Sequence, residues 1–172
     1  MAYFYYRVTY KEDSKVDVKK SLFKSNTANG GGAVFLNNAS NVQFIDSEFI
    51  NNTALNNYGG AINVAGSDIS VIRSEFNNNS AYRGGAIYVV DSSVFTVRNS
   101  TFEDNKAKNN FGGAISLFGE ANIYYSDFNR NTARNQGGAI HSSNETNKAT
   151  RVYYSNFDNN GVTGWGGDYY GG

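Results

Sequence analysis

The sequence of 172 residues predicts an all-β fold: a right-handed parallel β-helix, or solenoid, of about six coils with three short strands per coil. A Phe-x-x-Asn motif recurs six times, at intervals of 26, 27, 26, 26 and 29 residues. A Gly-Gly pair, usually followed by Ala and an aliphatic residue, comes shortly after each motif. Apolar and polar residues alternate between these landmarks. A repeat with a period of about 20–50 residues is typical of stacked coils.

The strands are assigned relative to a serine that stands two residues before each phenylalanine. Positions three and five residues before this serine are apolar in almost every repeat, and the position between them is polar. This period of two is typical of a strand, and no stretch has the 3.6-residue period of a helix. A second alternating stretch follows each Gly-Gly-Ala. We therefore assign three strands to a coil: the Gly-Gly-Ala-Ile strand, the strand before the serine, and the Ser-x-Phe strand.

The Phe-x-x-Asn motif predicts two structural ladders. The phenylalanines are expected to stack inside the rod from coil to coil, where burial of each ring contributes about 1.5–3 kcal/mol. The asparagines are expected at a turn, because Asn tolerates left-handed backbone and its amide can bond the coils above and below. The serines are expected to point inward. The ladder residues are Phe23, Phe49, Phe76, Phe102, Phe128 and Phe157, with Asn26, Asn52, Asn79, Asn105, Asn131 and Asn160.

The repeats divide the chain into two parts. Residues 1–20 lack a Gly-Gly pair and are predicted to form an atypical first coil or an N-terminal cap. Residues 21–172 are predicted to form the β-helix repeats, with an uncapped C-terminal end. Since an open edge is a template for further pairing, such an end would allow self-association.

Composition excludes several classes of function. Fifteen basic residues balance fifteen acidic ones, and no basic run is present, which argues against a nucleic-acid partner. No apolar run is long enough for a membrane span, and no signal peptide is recognisable. The absence of cysteine excludes disulfides and thiolate metal sites.

Chemistry-bearing residues are sparse. Catalysis on sugars needs paired carboxylates, and none is expected on the outer side of the Gly-Gly-Ala-Ile strands. Glu48, Glu75 and Asp127 form one outward column, which we interpret as a solvated acidic face. His141 is the single histidine, and we expect it on the surface without catalytic or metal partners. The sequence thus predicts no catalytic residue, no cofactor and no metal.

Tyrosines provide the best candidate for ligand contact. Tyr124 and Tyr125 are followed one coil later by Tyr153 and Tyr154, and Arg98 precedes them by one coil. Surface aromatic rings can pack on sugars or anchor a protein partner. The alternative is structural: stacked tyrosines shield one corner of the rod.

Gly59-Gly60-Ala61-Ile62 and its counterparts, paired with Phe-x-x-Asn in tandem, resemble the repeats of chlamydial polymorphic outer-membrane proteins. They are also similar to adhesin-like right-handed β-helix repeat proteins. The resemblance covers about residues 16–167. It implies a non-catalytic extracellular or cell-surface segment that binds a glycan or a cell-surface protein. The alternative function is a structural subunit that stacks end to end into a filament, and a polysaccharide-active enzyme is a distant third.

Overall fold

The computed structural model describes residues 7–9, 15–38, 41–143 and 149–164, with backbone alone described at 7–9 and 91–93. These ranges contain parallel strands in three sheets and no helix, which confirms the predicted parallel β-helix with three strands per coil. Equivalent residues of successive repeats pair in register, as Glu75, Phe76 and Asn77 do with Thr101, Phe102 and Glu103. Each repeat is therefore one coil, and each sequence column is a line of side chains along the rod.

The first sheet, called the long sheet here, has ten strands and contains both stretches that alternate in the sequence. The Gly-Gly-Ala-Ile strand and the strand before the serine follow one another end to end in it, and in two coils they join into one continuous strand. Its strands are Arg7–Thr9, Lys15–Lys19, Val34–Asn37, Asn41–Ile45, Ile62–Ala65, Asp68–Ile72, Ile87–Arg98, Ile115–Tyr124, Ile140–Ser142 and Thr150–Tyr153.

The second sheet, called the phenylalanine sheet, carries the Phe ladder in its central positions. Its strands are Leu22–Lys24, Glu48–Ile50, Glu75–Asn77, Thr101–Glu103, Asp127–Asn129 and Asn156–Asp158. The six rings form one stack, with neighbouring centroids 4.6–4.9 Å apart and ring planes within 6° of parallel. This spacing follows from the separation of about 4.8 Å between paired strands.

The third sheet, called the alanine sheet, differs from the sequence-based assignment. Its two-residue strands follow the Asn ladder, and a period of two is not recognisable over so short a stretch. The sequence thus predicted the number of strands per coil, but it divided the long sheet and missed this one. The strands are Thr27–Ala28, Thr53–Ala54, Ser80–Ala81, Lys106–Ala107, Thr132–Ala133 and Gly161–Val162.

The hydrophobic core fills the space between the three sheets. Within one coil, Phe76 comes from the phenylalanine sheet and Ile87 and Val97 come from the two ends of one long-sheet strand, and all three have no exposed surface. The side chain of each reference serine donates to the carbonyl two residues before it, as Ser74 Oγ does to Ile72 O at 3.0 Å. The Ser74 hydroxyl oxygen also accepts the backbone N–H of Ser47 at 3.1 Å. The predicted inward direction of the serines is therefore observed.

Besides the first glycine of the described Gly-Gly pairs, two bends in each coil put a non-glycine residue in left-handed backbone, and their positions correct the expectation for the Asn ladder. The first bend lies directly before the reference serine, as at Arg73 with φ of 46°. The second lies directly before the ladder asparagine, as at Asn78 with φ of 51°. Asn79 itself does not have a positive φ. The ladder asparagine therefore stabilises the bend through its amide hydrogen bonds, and its neighbour supplies the backbone conformation.

Residues 1–20 are partly described. Arg7–Thr9 pairs with Phe35–Asn37, and Lys15–Lys19 pairs with Asn41–Ile45, so these strands extend the long sheet by one rung. The predicted uncapped C-terminal end involves residues 165–172, which lie outside the described residues. Most of the loop from Ser142 to Ala149 also lies outside them.

Candidate functional site

The structure brings together all four tyrosines and the arginine that the sequence singled out. Tyr124 ends a strand of the long sheet and pairs in register with Tyr153 on the next coil and with Arg98 on the previous coil. Tyr125 and Tyr154 occupy the left-handed bend that follows. We call these five side chains the tyrosine ladder.

The tyrosine ladder consists of two parallel stacks of rings. The centroids of Tyr124 and Tyr153 are 5.3 Å apart with an interplanar angle of 12°. Those of Tyr125 and Tyr154 are 5.1 Å apart with an angle of 7°. The guanidinium carbon of Arg98 lies 4.4 Å from the Tyr124 ring centroid and thus extends the first stack by a cation–π contact.

The ladder is open to solvent. Tyr154 is 78% exposed, Tyr125 54% and Tyr153 43%. Rings that only shielded the corner would be expected to lose more of their surface than this. The backbone N–H of Tyr125 donates to Tyr153 O at 3.1 Å, so the exposed rings rest on the regular hydrogen bonding of the rod.

The backbone at two of these tyrosines is unfavourable for a bulky residue. Tyr125 and Tyr154 have φ of 50° and 51°, a region that Asn and Asp enter far more readily. The same bend in the preceding coil is occupied by Asn99, with φ of 49°. The rod thus places large aromatic side chains at positions where local conformation alone favours a small polar one.

A second aromatic cluster lies on the outer side of the long sheet, and sequence reasoning missed it. Of the outward residues that follow Gly-Gly-Ala-Ile, His141 was expected on the surface, yet it and several of its counterparts are covered. We call Asn63, Tyr88, Ser116 and His141 the outer column, since they pair in register on four successive coils. The exposed fraction of each side chain is 8% or less.

The cover comes from aromatic side chains elsewhere in the coils. The Phe111 ring stacks on the His141 ring at a centroid distance of 4.4 Å, and the Tyr58 ring lies 4.5 Å from that of Tyr88. Phe118 lies beside the outer column, 6.2 Å from the His141 ring. A signal was present in the sequence: Tyr58 and Phe111 both stand directly before a Gly-Gly pair.

His141 therefore corrects the expectation of a surface histidine. Its side chain is buried, and burial, aided by the positive charge of Arg83, lowers its pKa to about 4. Among the described residues, neither His141 Nδ1 nor Ser116 Oγ has a hydrogen-bond partner. The histidine is thus neutral near pH 7 and packed in an aromatic environment.

The acidic side chains that the sequence singled out lie away from His141, on another sheet. Glu48, Glu75 and Asp127 are exposed on the phenylalanine sheet, in agreement with the predicted acidic face. Arg73 forms a bidentate ion pair with Asp46, and this hydrogen bonding lowers the pKa of the Asp46 carboxyl. In the part of the chain that the structure describes, no three His, Cys, Asp or Glu side chains converge in a way that could hold a metal ion.

The described coils also contain no helix long and apolar enough to cross a membrane. The fold and the exposed tyrosine ladder define a class of protein. It is a β-helix repeat protein whose candidate binding residues lie on the outside of the rod. Comparison with known proteins finds the same repeat in this chain. Residues 46–65, 73–90, 99–117 and 126–143 match the Chlamydia polymorphic membrane protein repeat. Four repeats of the chain thus match this repeat model, as the motif resemblance implied.

Two long proteins are similar to most of the chain. The probable autotransporter YfaL of Escherichia coli is 32% identical over 154 residues, covering 73% of this chain. The metabotropic glutamate receptor-like protein R of Dictyostelium discoideum is 31% identical over 137 residues, covering 78% of it. The chain spans 12% and 8% of the lengths of these proteins. No solved structure matches the chain significantly.

These similarities support a surface-exposed β-helix of the kind found in autotransporter passengers. They indicate a cell-surface or outer-membrane location. They also point to the non-catalytic, adhesin-like class of β-helix proteins.

Proposed function

We propose that this chain is an adhesive segment of a surface-exposed β-helix and that the tyrosine ladder is its contact surface for a glycan or a cell-surface protein. The observation that carries the proposal is the pair of exposed ring stacks on two successive coils. Flat aromatic surfaces on a rigid support bind with little loss of side-chain entropy.

The ladder offers both apolar and polar contacts. The ring faces can pack against the C–H face of a sugar or against apolar side chains of a protein, and the phenolic hydroxyls can donate or accept hydrogen bonds. Arg98 adds a positive charge at one end of the first stack. Its guanidinium has no carboxylate partner among the described residues, so it remains available to an acidic group on the partner.

The proposal is tested with the double substitution Tyr125→Ser and Tyr154→Ser. The variant and the native chain would be compared for binding to glycan arrays and to cultured cell monolayers. Since both rings are exposed, the circular dichroism spectrum and the denaturation midpoint should change little, whereas binding should fall at least tenfold. Leu22→Ser is the matched control, because Leu22 is 60% exposed on the phenylalanine sheet.

The outcomes separate the alternatives. Unchanged binding by the folded double variant would show that the adhesive surface lies outside the tyrosine ladder. Unfolding of the variant would show that the tyrosines have a structural role. If the purified chain instead forms fibres whose length rises with protein concentration, and binds no cell or glycan, the filament function replaces adhesion. Electron microscopy of the native chain at several concentrations makes this comparison.

A further inference from the structure

Three cations line the corner between the alanine sheet and the Gly-Gly pairs. Arg83, Lys108 and Arg134 come from three successive coils, and we call them the basic corner. The backbone N–H of Lys108 donates to Ala81 O at 2.8 Å, and that of Arg134 donates to Ala107 O at 3.2 Å. Lys108 and Arg134 thus occupy the same position of neighbouring coils, and their charges lie along the rod axis.

The basic corner has no acidic counterpart. The turn segments 29–32, 55–60, 82–85, 108–113 and 134–138, which form this corner, contain no Asp or Glu. Within the described ranges, none of the three cations forms an ion pair, whereas five other basic residues do. Like charges on adjacent coils repel each other, so folding alone gives no reason for this arrangement.

Arg83 is held in place without being neutralised. Its guanidinium carbon lies 4.7 Å from the Phe111 ring centroid, 5.7 Å from that of Phe118 and 5.8 Å from that of Tyr58. When the amide of Asn110 turns its oxygen toward the guanidinium, that oxygen accepts from Arg83 Nε at 3.0 Å and Nη2 at 3.2 Å. These contacts fix the guanidinium plane and leave its charge uncompensated.

An exposed ring adjoins the charges. Tyr82 precedes Arg83 in the sequence and is 38% exposed, and its ring lies 6.4 Å from the half-buried Tyr58 ring. The corner therefore combines a row of cations with an accessible aromatic surface. Lys108 and Arg134 are themselves exposed and Arg83 is half-buried, so two of the three charges are fully open to a ligand from solvent.

We propose that the basic corner binds an acidic polysaccharide that runs along the rod axis, with its carboxylate or sulfate groups on Arg83, Lys108 and Arg134 and one sugar ring against Tyr82. The equivalent positions of Lys108 and Arg134 on neighbouring coils are about 4.8 Å apart, with Arg83 on the coil before, and this arrangement suits a chain that presents negative charge repeatedly. A fixed guanidinium pairs with planar or tetrahedral oxyanions by two hydrogen bonds. The preference for a polysaccharide over a nucleic acid rests on the surface location that the proposed adhesive function requires.

The experiment measures binding of the purified chain to polygalacturonate, which has only carboxylates, to dextran sulfate, which has only sulfates, and to neutral dextran. The triple substitution Arg83→Gln, Lys108→Gln and Arg134→Gln is compared with a control of equal charge change, Lys15→Gln, Lys20→Gln and Lys24→Gln. We expect an affinity loss of at least tenfold in the first variant, less than twofold in the control, and no binding to neutral dextran. The acidic polymer that binds identifies the oxyanion.

Further variants guard against misfolding. Lys108→Gln with Arg134→Gln alters only exposed side chains and should still lower the affinity severalfold. Arg83→Lys keeps the charge but loses the bidentate geometry, so it should also weaken binding. The Tyr125→Ser and Tyr154→Ser variant should bind the acidic polymer normally, which distinguishes this site from the tyrosine ladder. Equal losses in both triple variants, binding of neither polymer, or tighter binding to single-stranded DNA would overturn the proposal.

Discussion

Asn79 and Asn105 are joined by two hydrogen bonds to one oxygen. Both the side-chain amide and the backbone N–H of Asn79 donate to Asn105 Oδ1 at 3.0 Å. The same Asn79 amide donates to Phe49 O on the preceding coil at 2.9 Å. One side chain therefore ties three successive coils together at a bend, and it has no exposed surface.

We expect Asn79→Ala to destabilise the rod by about 2–4 kcal/mol, since a buried group left without a partner costs about 1–3 kcal/mol. The groups that lose a partner are the backbone N–H of Asn52, which donates to Asn79 Oδ1 at 2.9 Å, and the carbonyl of Phe49. Urea denaturation followed by circular dichroism gives the change. Asn77→Ala, on the outer side of the same coil, should cost under about 1 kcal/mol. Equal effects would contradict a buried ladder.

We expect a substitution in the Phe ladder to lower the free energy of unfolding more than Asn79→Ala does. Phe76 lies between Phe49 and Phe102, with centroid distances of 4.6 and 4.8 Å, and is fully buried. Phe76→Ala should lower the free energy of unfolding by about 3–5 kcal/mol, because the cavity is lined by rigid coils. Leu22→Ala in the same sheet, where the side chain is 60% exposed, serves as the control. A denaturation midpoint unmoved by Phe76→Ala would place that ring outside the core.

Adjacent coils approach most closely at the second glycine of each Gly-Gly pair. A Cβ added at Gly85 would lie 2.0 Å from Gly113 O and 2.4 Å from Lys106 N, both backbone atoms. Gly85→Ala should therefore push two coils apart and cost more than about 4 kcal/mol. A Cβ at Gly161 would meet nothing within 4 Å. Gly161→Ala should be neutral or stabilise by about 0.4–1 kcal/mol through loss of unfolded-state entropy.

Thermal denaturation of the two glycine variants gives the comparison directly. A small effect at Gly85 would show that the coils can separate there without loss of hydrogen bonds. A large destabilisation by Gly161→Ala would show that its surroundings are more crowded than this structure indicates.

The sequence predicted burial correctly where it depends on a single repeat position. Phe76 recurs with a fixed period and on the inward parity, and this was enough to place it in the core. The outer column could not be found in the same way. Tyr88 has the parity of an exposed residue, and its burial depends on Tyr58, thirty residues away and on a different part of the coil. Parity determines on which side of a sheet a residue lies, but it does not show which side chains cover that side.

The tyrosine ladder was predictable for a related reason. Tyr124 and Tyr153 are one repeat apart, so their adjacency follows from the period alone. The left-handed conformation at Tyr125 and Tyr154 was not predictable, because the bend accepts several residue types, including Lys20 and Arg73. The backbone at this bend is set by the path of the coil rather than by the residue that occupies it.

His141 makes the stability of the rod sensitive to mild acid. Its pKa is about 4 in the folded chain, below the ordinary value of 6.5, because burial disfavours the charged ring. Between about pH 6.5 and pH 4 the unfolded chain therefore binds a proton that the folded chain excludes. Stability falls as the pH is lowered through this window, by an amount on the order of 2 kcal/mol, and this contribution is constant below it.

His141→Phe should remove this contribution. The substitution keeps a flat ring against Phe111 and deletes the unpaired Nδ1 atom, so the variant should be at least as stable as the native chain at pH 7. Urea denaturation at pH 7.5, 6, 5 and 4 measures the free energy of unfolding of both chains. The difference between them should widen in favour of the variant as the pH falls from 6.5 to 4. Parallel curves would show that the imidazole is protonated as easily in the fold as in the unfolded chain, and thus that solvent reaches it beneath the Phe111 ring.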